Sequence, residues 1–126
     1  MLIATLTTLL LVSLGLGGAK LDNVFVDIKK PVKQTVTDKE RRDQILEARA
    51  ELEKTLNRNQ KAWKKQVEAF LDVQDDYSST EADFDEQQAR ISELLTAKHE
   101  AVLDARDAMK ELMTREEWEQ VFAGDQ

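Results

Sequence analysis

Apolar residues recur at helical spacing in the C-terminal half of the chain. After Ser78 the apolar positions are Phe84, Ile91, Leu94, Leu95, Val102, Ala105, Met109 and Leu112. At about 100° per residue these positions cover roughly one third of a helix circumference, which is typical of a helix with one apolar face. The pattern therefore predicts a long amphipathic helix over about 80–113.

A second long helix is predicted upstream, over about 38–73. Its apolar positions are Ile45, Leu52, Leu56, Trp63, Val67 and Phe70. They lie within an arc of roughly 60°, which is a narrow apolar seam and not a broad core face. No helix breaker interrupts the stretch, but residues 57–59 (Asn-Arg-Asn) are its poorest helix formers. The sequence leaves open whether the helix is continuous there or kinked.

Two capping-box motifs indicate where helices start. Thr37 is followed three residues later by Glu40, and Thr114 is followed three residues later by Glu117. In such a box the threonine hydroxyl and the glutamate carboxylate each accept a hydrogen bond from the other residue's backbone N–H. Trp118 follows the second box, at the position where a hydrophobic staple packs on the residue before the cap. The second motif predicts a separate short helix over about 115–122.

The segment 74–79 (Gln-Asp-Asp-Tyr-Ser-Ser) separates the two long helices. Either Ser78 with Glu81 or Thr80 with Asp83 can cap the second helix. Long helices joined by so short a connection run antiparallel, so the predicted fold is an all-α antiparallel helical hairpin with a short C-terminal helix. Two narrow seams leave apolar surface on their flanks, and we expect a second copy of the chain to bury it in a two-fold homodimer.

The first 19 residues are uncharged, and nearly all are apolar or small. They predict a secretory signal peptide with cleavage after Ala19. The alternatives are an uncleaved membrane anchor or tether through residues 2–18 and a buried core helix. A signal peptide or an anchor would place the remainder of the chain, with the helical domain at 37–126, outside the cytoplasm.

Residues 20–36 link this apolar segment to the helices. Their β-branched residues have no second strand to pair with, and Pro31 disfavours the α conformation at Lys30. The segment is predicted to be an extended, flexible arm that packs on the helices through Phe25.

Composition excludes several classes of function. The chain has no cysteine, so disulfides, thiolate metal sites and cysteine nucleophiles are absent. Its net charge of −7 makes it a poor candidate for nucleic-acid binding, which needs a basic footprint. With one histidine and no glycine-rich phosphate loop, the chain is not expected to be an enzyme or to hold a cofactor.

His99 is the one candidate metal ligand, and it lies at the edge of the second helix's apolar face. A metal site needs two or more converging ligands, often one helical turn apart, and the residues one turn from His99 are Leu95 and Leu103. Met109 and Met113 are one turn apart, but methionine at core spacing usually packs. We therefore expect no metal site.

A basic stripe lies opposite the apolar seam of the first long helix. It consists of Lys54, Arg58, Lys61 and Lys65, which are spaced four, three and four residues apart. On an acidic chain such a stripe is either a solvated face or a surface for acidic partners.

The two capping motifs resemble the paired Leu-Thr-x-x-Gln motifs of the Spy/CpxP-like family. They occupy residues 36–41 (Val-Thr-Asp-Lys-Glu-Arg) and 113–118 (Met-Thr-Arg-Glu-Glu-Trp). Residues 84–89 (Phe-Asp-Glu-Gln-Gln-Ala) are similar to the entry of the second long helix in the heavy-metal resistance and sensor branch of that family. The resemblance covers 36–122 and keeps the capping chemistry, although valine or methionine replaces leucine and glutamate replaces glutamine.

This resemblance implies a periplasmic helical-hairpin protein that forms an antiparallel, cradle-shaped homodimer. It also implies roles in envelope stress, namely ATP-independent chaperoning, adaptor binding to a sensor kinase, or metal sensing.

The leading hypothesis is a periplasmic binding protein for partly unfolded or envelope proteins. Its candidate contact residues are Leu52, Leu56, Trp63, Val67 and Phe70 with the basic stripe, although these apolar residues equally fit the hairpin core or a dimer seam. One alternative is heavy-metal sensing or resistance through His99. The other is a membrane-tethered structural coiled coil, which needs the N-terminal apolar segment to be retained.

Overall fold

Two long helices pack side by side in the computed structural model, which describes residues 23–123. A short 3-10 turn at Asn23–Phe25 comes first, and four α-helices follow: α1 (Lys29–Thr35), α2 (Lys39–Asp75), α3 (Glu81–Leu112) and α4 (Arg115–Ala123). No β-strand occurs in this part of the chain. The all-α helical hairpin with a short C-terminal helix is therefore confirmed, and the bounds of α2, α3 and α4 lie within two residues of the predicted ones.

The long helices are single rods. With a rise of about 1.5 Å per residue, the 37 residues of α2 span about 55 Å and the 32 residues of α3 about 48 Å. Residues 57–59 are helical throughout, so α2 continues through its weakest helix formers.

Three side-chain hydrogen bonds fix the alignment of α2 and α3. Arg41 Nη1 donates to the Leu112 carbonyl (2.9 Å), Asn59 Nδ2 to the Leu94 carbonyl (3.0 Å), and Gln66 Nε2 to the Gln87 side chain. From the first bond to the second, the residue number rises by 18 on α2 and falls by 18 on α3. From the second bond to the third, it rises by 7 on α2 and falls by 7 on α3. The helices therefore run antiparallel in one uninterrupted alignment.

The turn between the long helices is capped by Thr80 and not by Ser78. The Asp83 N–H donates to Thr80 Oγ1 (3.4 Å), and the Thr80 N–H donates to the Asp83 carboxylate (2.9 Å), which completes a capping box. Ser78 instead donates through its N–H and its hydroxyl to Asp76 Oδ1, and these bonds lower the pKa of Asp76. Thr80 with Asp83 is thus the correct one of the two predicted caps.

One end of the hairpin is closed by a core that all the short elements share; we call it the closed end. Its buried residues are Ile28, Val32, Val36, Ile45, Leu52, Ala105, Met109, Met113 and Val121. Phe25 packs against this cluster and lies with its ring centroid 6.2 Å from that of Trp118 and 5.5 Å from that of Phe122. At this end the short elements of the same copy therefore cover the flanks of the seams that a second copy was expected to bury, whereas the homodimer itself stays a prediction.

The predicted extended arm at 20–36 is wrong over its described part, because residues 29–35 form α1. Ile28, Val32 and Val36 are spaced by one helical turn and are all buried, so this short helix has a core-facing side. Pro31 is tolerated because it lies in the first turn, where backbone N–H groups have no partner within the helix. Burial of these three aliphatic side chains stabilises the helix by more than the proline destabilises the α conformation at Lys30.

No helix within residues 23–123 is long and apolar enough to cross a membrane. The predicted signal peptide or anchor at 1–19 lies outside the described residues.

Candidate partner-binding arm

The hairpin beyond the closed end is only two helices thick. We call residues 59–95 the distal arm; it begins where Asn59 donates to the Leu94 carbonyl. The small core of this arm contains Phe70 and Ile91, with Trp63, Phe84 and Leu95 packed partly exposed around it. The Phe70 and Phe84 rings meet edge to face with centroids 6.0 Å apart. The described residues place no further helix on the arm, and Trp63, Phe84 and Leu95 stay partly exposed.

The structure separates the predicted contact residues into buried and accessible ones. Leu52 (3 % exposed) belongs to the closed-end core and Phe70 (2 % exposed) to the arm core, so neither is free to contact a partner. Their assignment as binding residues is wrong, because both face α3 within the hairpin. Leu56 is half-buried and packs against the closed-end core. Trp63 and Val67 are half-buried on the arm and stay candidates.

An apolar row of three side chains runs along one edge of α2 in the arm. Trp63, Val67 and Leu71 follow one another at intervals of four residues, which places them on neighbouring turns of one edge. Leu71 is 46 % exposed and lies near the C-terminal end of α2. Leu71 lies outside the narrow arc of α2 that faces α3, so the seam pattern does not identify it. Its spacing of four residues from Val67 was the available signal.

The basic stripe is solvent-exposed along its whole length. Lys54 Nζ lies 3.9 Å from a Glu51 carboxylate oxygen, and Arg58 donates a 3.4 Å hydrogen bond to the Thr55 hydroxyl. A shallow surface depression lies at its upstream end, lined by Glu51, Lys54, Asn57 and Arg58. The stripe thus forms a charged surface that is open to large partners.

His99 is exposed on α3. Residues 23–123 contain no group of three or more histidine, aspartate or glutamate side chains arranged to hold a metal ion. Met109 and Met113 are both buried in the closed-end core, so packing accounts for this pair.

The two motifs that resemble the Leu-Thr-x-x-Gln pair differ in structure. The predicted cap by Thr37 and Glu40 is wrong, since α2 begins at Lys39 with Asp38 as its cap residue and has no side-chain cap bond. The Asp38 carboxylate instead accepts from Arg41 Nε at 3.2 Å. The Asp38 carboxylate therefore bonds to a guanidinium and not to a backbone N–H of the first turn.

At the second motif the reciprocal pair is present. The Thr114 N–H donates to Glu117 Oε1 (2.8 Å), and the Glu117 N–H donates to the Thr114 hydroxyl (3.1 Å). Trp118 packs against the closed-end core, which also contains Met113, the residue before the cap. The new helix α4 therefore starts where the sequence placed it.

Arg41 ties the two motifs together. Its guanidinium donates to both carboxylate oxygens of Glu117 (2.7 and 3.2 Å) and to the carbonyl of Leu112 at the end of α3. The Arg41 bond, followed by the Thr114 N–H, lowers the pKa of Glu117 to about 2. This contact joins the start of α2, the end of α3 and the start of α4, so its role is to hold the closed end together.

Comparisons with protein-family models, with curated proteins and with solved structures find no match for this chain. Its resemblance to the Spy/CpxP-like family stays a prediction that rests on the motif residues.

Proposed function

We propose that the protein is an exported binding protein of the cell envelope that holds partly unfolded or partner proteins on its distal arm. The observation that supports the proposal best is the apolar row of Trp63, Val67 and Leu71 on an arm only two helices thick. Leu71 is exposed, and the other two side chains are partly exposed. An apolar surface rimmed by charged residues is what the capture of partly unfolded chains requires. The resemblance to the Spy/CpxP-like family favours the same activity, carried out without ATP.

The division of the molecule supports this role. The closed end carries most of the buried apolar side chains, so it can keep the fold intact while the arm engages a partner. Few fixed polar groups flank the apolar row, which favours low affinity and broad specificity over recognition of one sequence. The proposal includes export to the periplasm by the segment at 1–19 and a homodimer as the working form.

A test of this function uses an aggregation assay without nucleotide. We expect the protein to suppress the aggregation of a reduced, unfolding client protein when the two are present in comparable amounts. Replacing Val67 and Leu71 by serine removes two members of the apolar row and leaves the buried core residues unchanged. This variant should lose most of the suppression because its apolar contact area is gone.

The matched control is Leu103→Ser, which changes an exposed leucine (42 % exposed) on α3 outside the arm. It should suppress aggregation as well as the unchanged protein does, and circular dichroism checks that all forms have the same helicity. Failure of the unchanged protein to delay aggregation at a several-fold excess would contradict the proposed function.

A further inference from the structure

The basic stripe on α2 continues as an acidic stripe along the same face. After Lys54, Arg58, Lys61 and Lys65 come Glu68, Asp72 and Asp75, and the spacing alternates between four and three residues throughout. This alternation keeps all seven positions on one side of the helix, about half a turn from the seam that packs on α3. All seven side chains are exposed. We call this set the divided stripe, because its first half is positive and its second half negative.

The divided stripe is unfavourable for a hairpin that stands alone. Neighbours along each half carry like charges three or four residues apart, which destabilises a helix. The acidic half also lies toward the C-terminal end of α2, where the helix dipole favours cations, and the last turn has no basic residue. Within residues 23–123, Lys61, Lys65 and Asp72 take part in no ion pair. These three charges of the stripe therefore have no ion-pair partner in the described part of the chain.

The stripe runs from positive to negative along α2, so in a second copy that lies antiparallel each charge can face an opposite one. If two copies of α2 lie antiparallel with a two-fold axis between residues 66 and 67, Lys65 stands opposite the partner's Glu68. In the same alignment Lys61 stands opposite the partner's Asp72, and Arg58 opposite the partner's Asp75. Each of these contacts occurs twice by symmetry, so one alignment forms six pairs of opposite charges.

We infer that the divided stripe is a docking surface for a second copy of this chain, which binds antiparallel through α2. A second copy is the occupant that the charge pattern favours, because the same sequence supplies the reversed order at the matching spacing. An anionic membrane or a nucleic acid would be repelled by the acidic half. The inference rests on the homodimer that the proposed function includes and names the surface through which it forms. Client binding does not depend on this contact, since the apolar row lies on a different side of α2.

The contact should be weak and sensitive to salt. Exposed ion pairs are screened by salt, so association is expected at low ionic strength and should weaken at about 0.5 M salt. Sedimentation velocity over a concentration series measures it directly on the full chain.

Charge reversal tests the alignment. Lys61→Glu and Asp72→Lys should each weaken self-association by about tenfold or more, because each places like charges opposite one another twice. An equimolar mixture of the two variants should associate again, because in the mixed dimer each altered charge faces its altered counterpart. The double variant should also recover. Lys110→Glu and Glu100→Lys, which make the same charge changes on exposed positions of α3, are the controls and should leave association unchanged.

A zero-length carbodiimide cross-link between Lys61 and Asp72 provides a second readout. Within one copy these residues are separated by 11 positions, or about 16 Å of helix, so a direct link can form only between copies. A monomer at all concentrations in low salt would overturn the inference. So would a dimer that ignores both charge reversals or is not restored by mixing them. A monomer would also count against the homodimer as the working form, but none of these results bears on client capture in the aggregation assay, so a failure of the docking surface and a failure of client binding are distinguishable.

Discussion

Replacing Ile45 by alanine lowers the free energy of unfolding by about 3 kcal/mol, the largest single effect expected in this protein. Ile45 is fully buried on α2, in the core that joins α1, both long helices and α4. Truncation removes apolar contacts and leaves a cavity that the surrounding helices can refill only in part. For a domain of this size the loss corresponds to a fall in melting temperature of roughly 12–24 °C, measured by circular dichroism at 222 nm.

Leu103→Ala is the matched control for this experiment. Leu103 is a similarly large aliphatic residue in α3, but it is 42 % exposed. Its truncation should change the free energy of unfolding by less than about 1 kcal/mol, because exposed apolar atoms gain little from folding. Equal destabilisation by the two variants would mean that the closed end is not the main core.

Replacing Glu117 by glutamine removes the second-largest contribution, about 2 kcal/mol at neutral pH. The change removes the charge that pairs with Arg41, in a side chain that is only 15 % exposed. The amide oxygen of glutamine can still accept from the Thr114 N–H, so the cap of α4 is kept. The effect depends on pH because the pKa of Glu117 is lowered from 4.5 to about 2 in the folded protein. A lowered folded-state pKa stabilises the fold above the unfolded value and loses that contribution as the pH falls.

The stability difference between the unchanged protein and Glu117→Gln should therefore be constant above about pH 5. It should shrink as the pH falls from about 4.5 to about 2. Urea titrations at closely spaced pH values measure the difference. Glu116→Gln makes the same substitution at the neighbouring exposed position and should show neither the loss nor the change with pH. A difference that persists undiminished at pH 2 would contradict the role of the Arg41–Glu117 pair.

The long helices could be predicted from the sequence because the contacts that stabilise them appear in it as regular patterns. The seam of α2 and the apolar face of α3 repeat at helical spacing, and the boxes at Thr80 and Thr114 mark two helix starts by local hydrogen bonding. α1 could not be predicted in the same way. Its seven residues contain a proline and too few turns for a clear period, and its stability comes from the docking of Val32 and its neighbours on the rest of the core.

The candidate site was predicted only in part, because the spacing of apolar residues along a helix does not show which of them remain accessible to solvent. Leu52 and Phe70 share a face with Trp63 and Val67, yet the first two are buried by α3 and the short elements. Burial of a seam residue depends on which other helices pack beside it in the fold, and the sequence around that residue does not show this. The divided stripe could likewise not be recognised as a docking surface from the sequence, since that role requires its face of α2 to be left exposed by α3.

The two ends of the hairpin differ in structure. The closed end, held by the shared core and by Arg41, fixes α2 against α3 and lets both project as an arm. The arm carries the apolar row on one side of α2, and the divided stripe runs along another side of α2 from Lys54 to Asp75. Under the two proposals, partner binding and self-association therefore use separate surfaces.

Hydrogen–deuterium exchange with a bound client tests the central claim most directly. We predict that backbone amides over 62–75 exchange more slowly when a reduced, partly unfolded client is bound, whereas amides over 28–36 and 115–123 exchange at unchanged rates. That result would place the client on the apolar row of the distal arm. Slower exchange confined to the closed end, or no slowing at 62–75 in a complex known to have formed, would contradict the account.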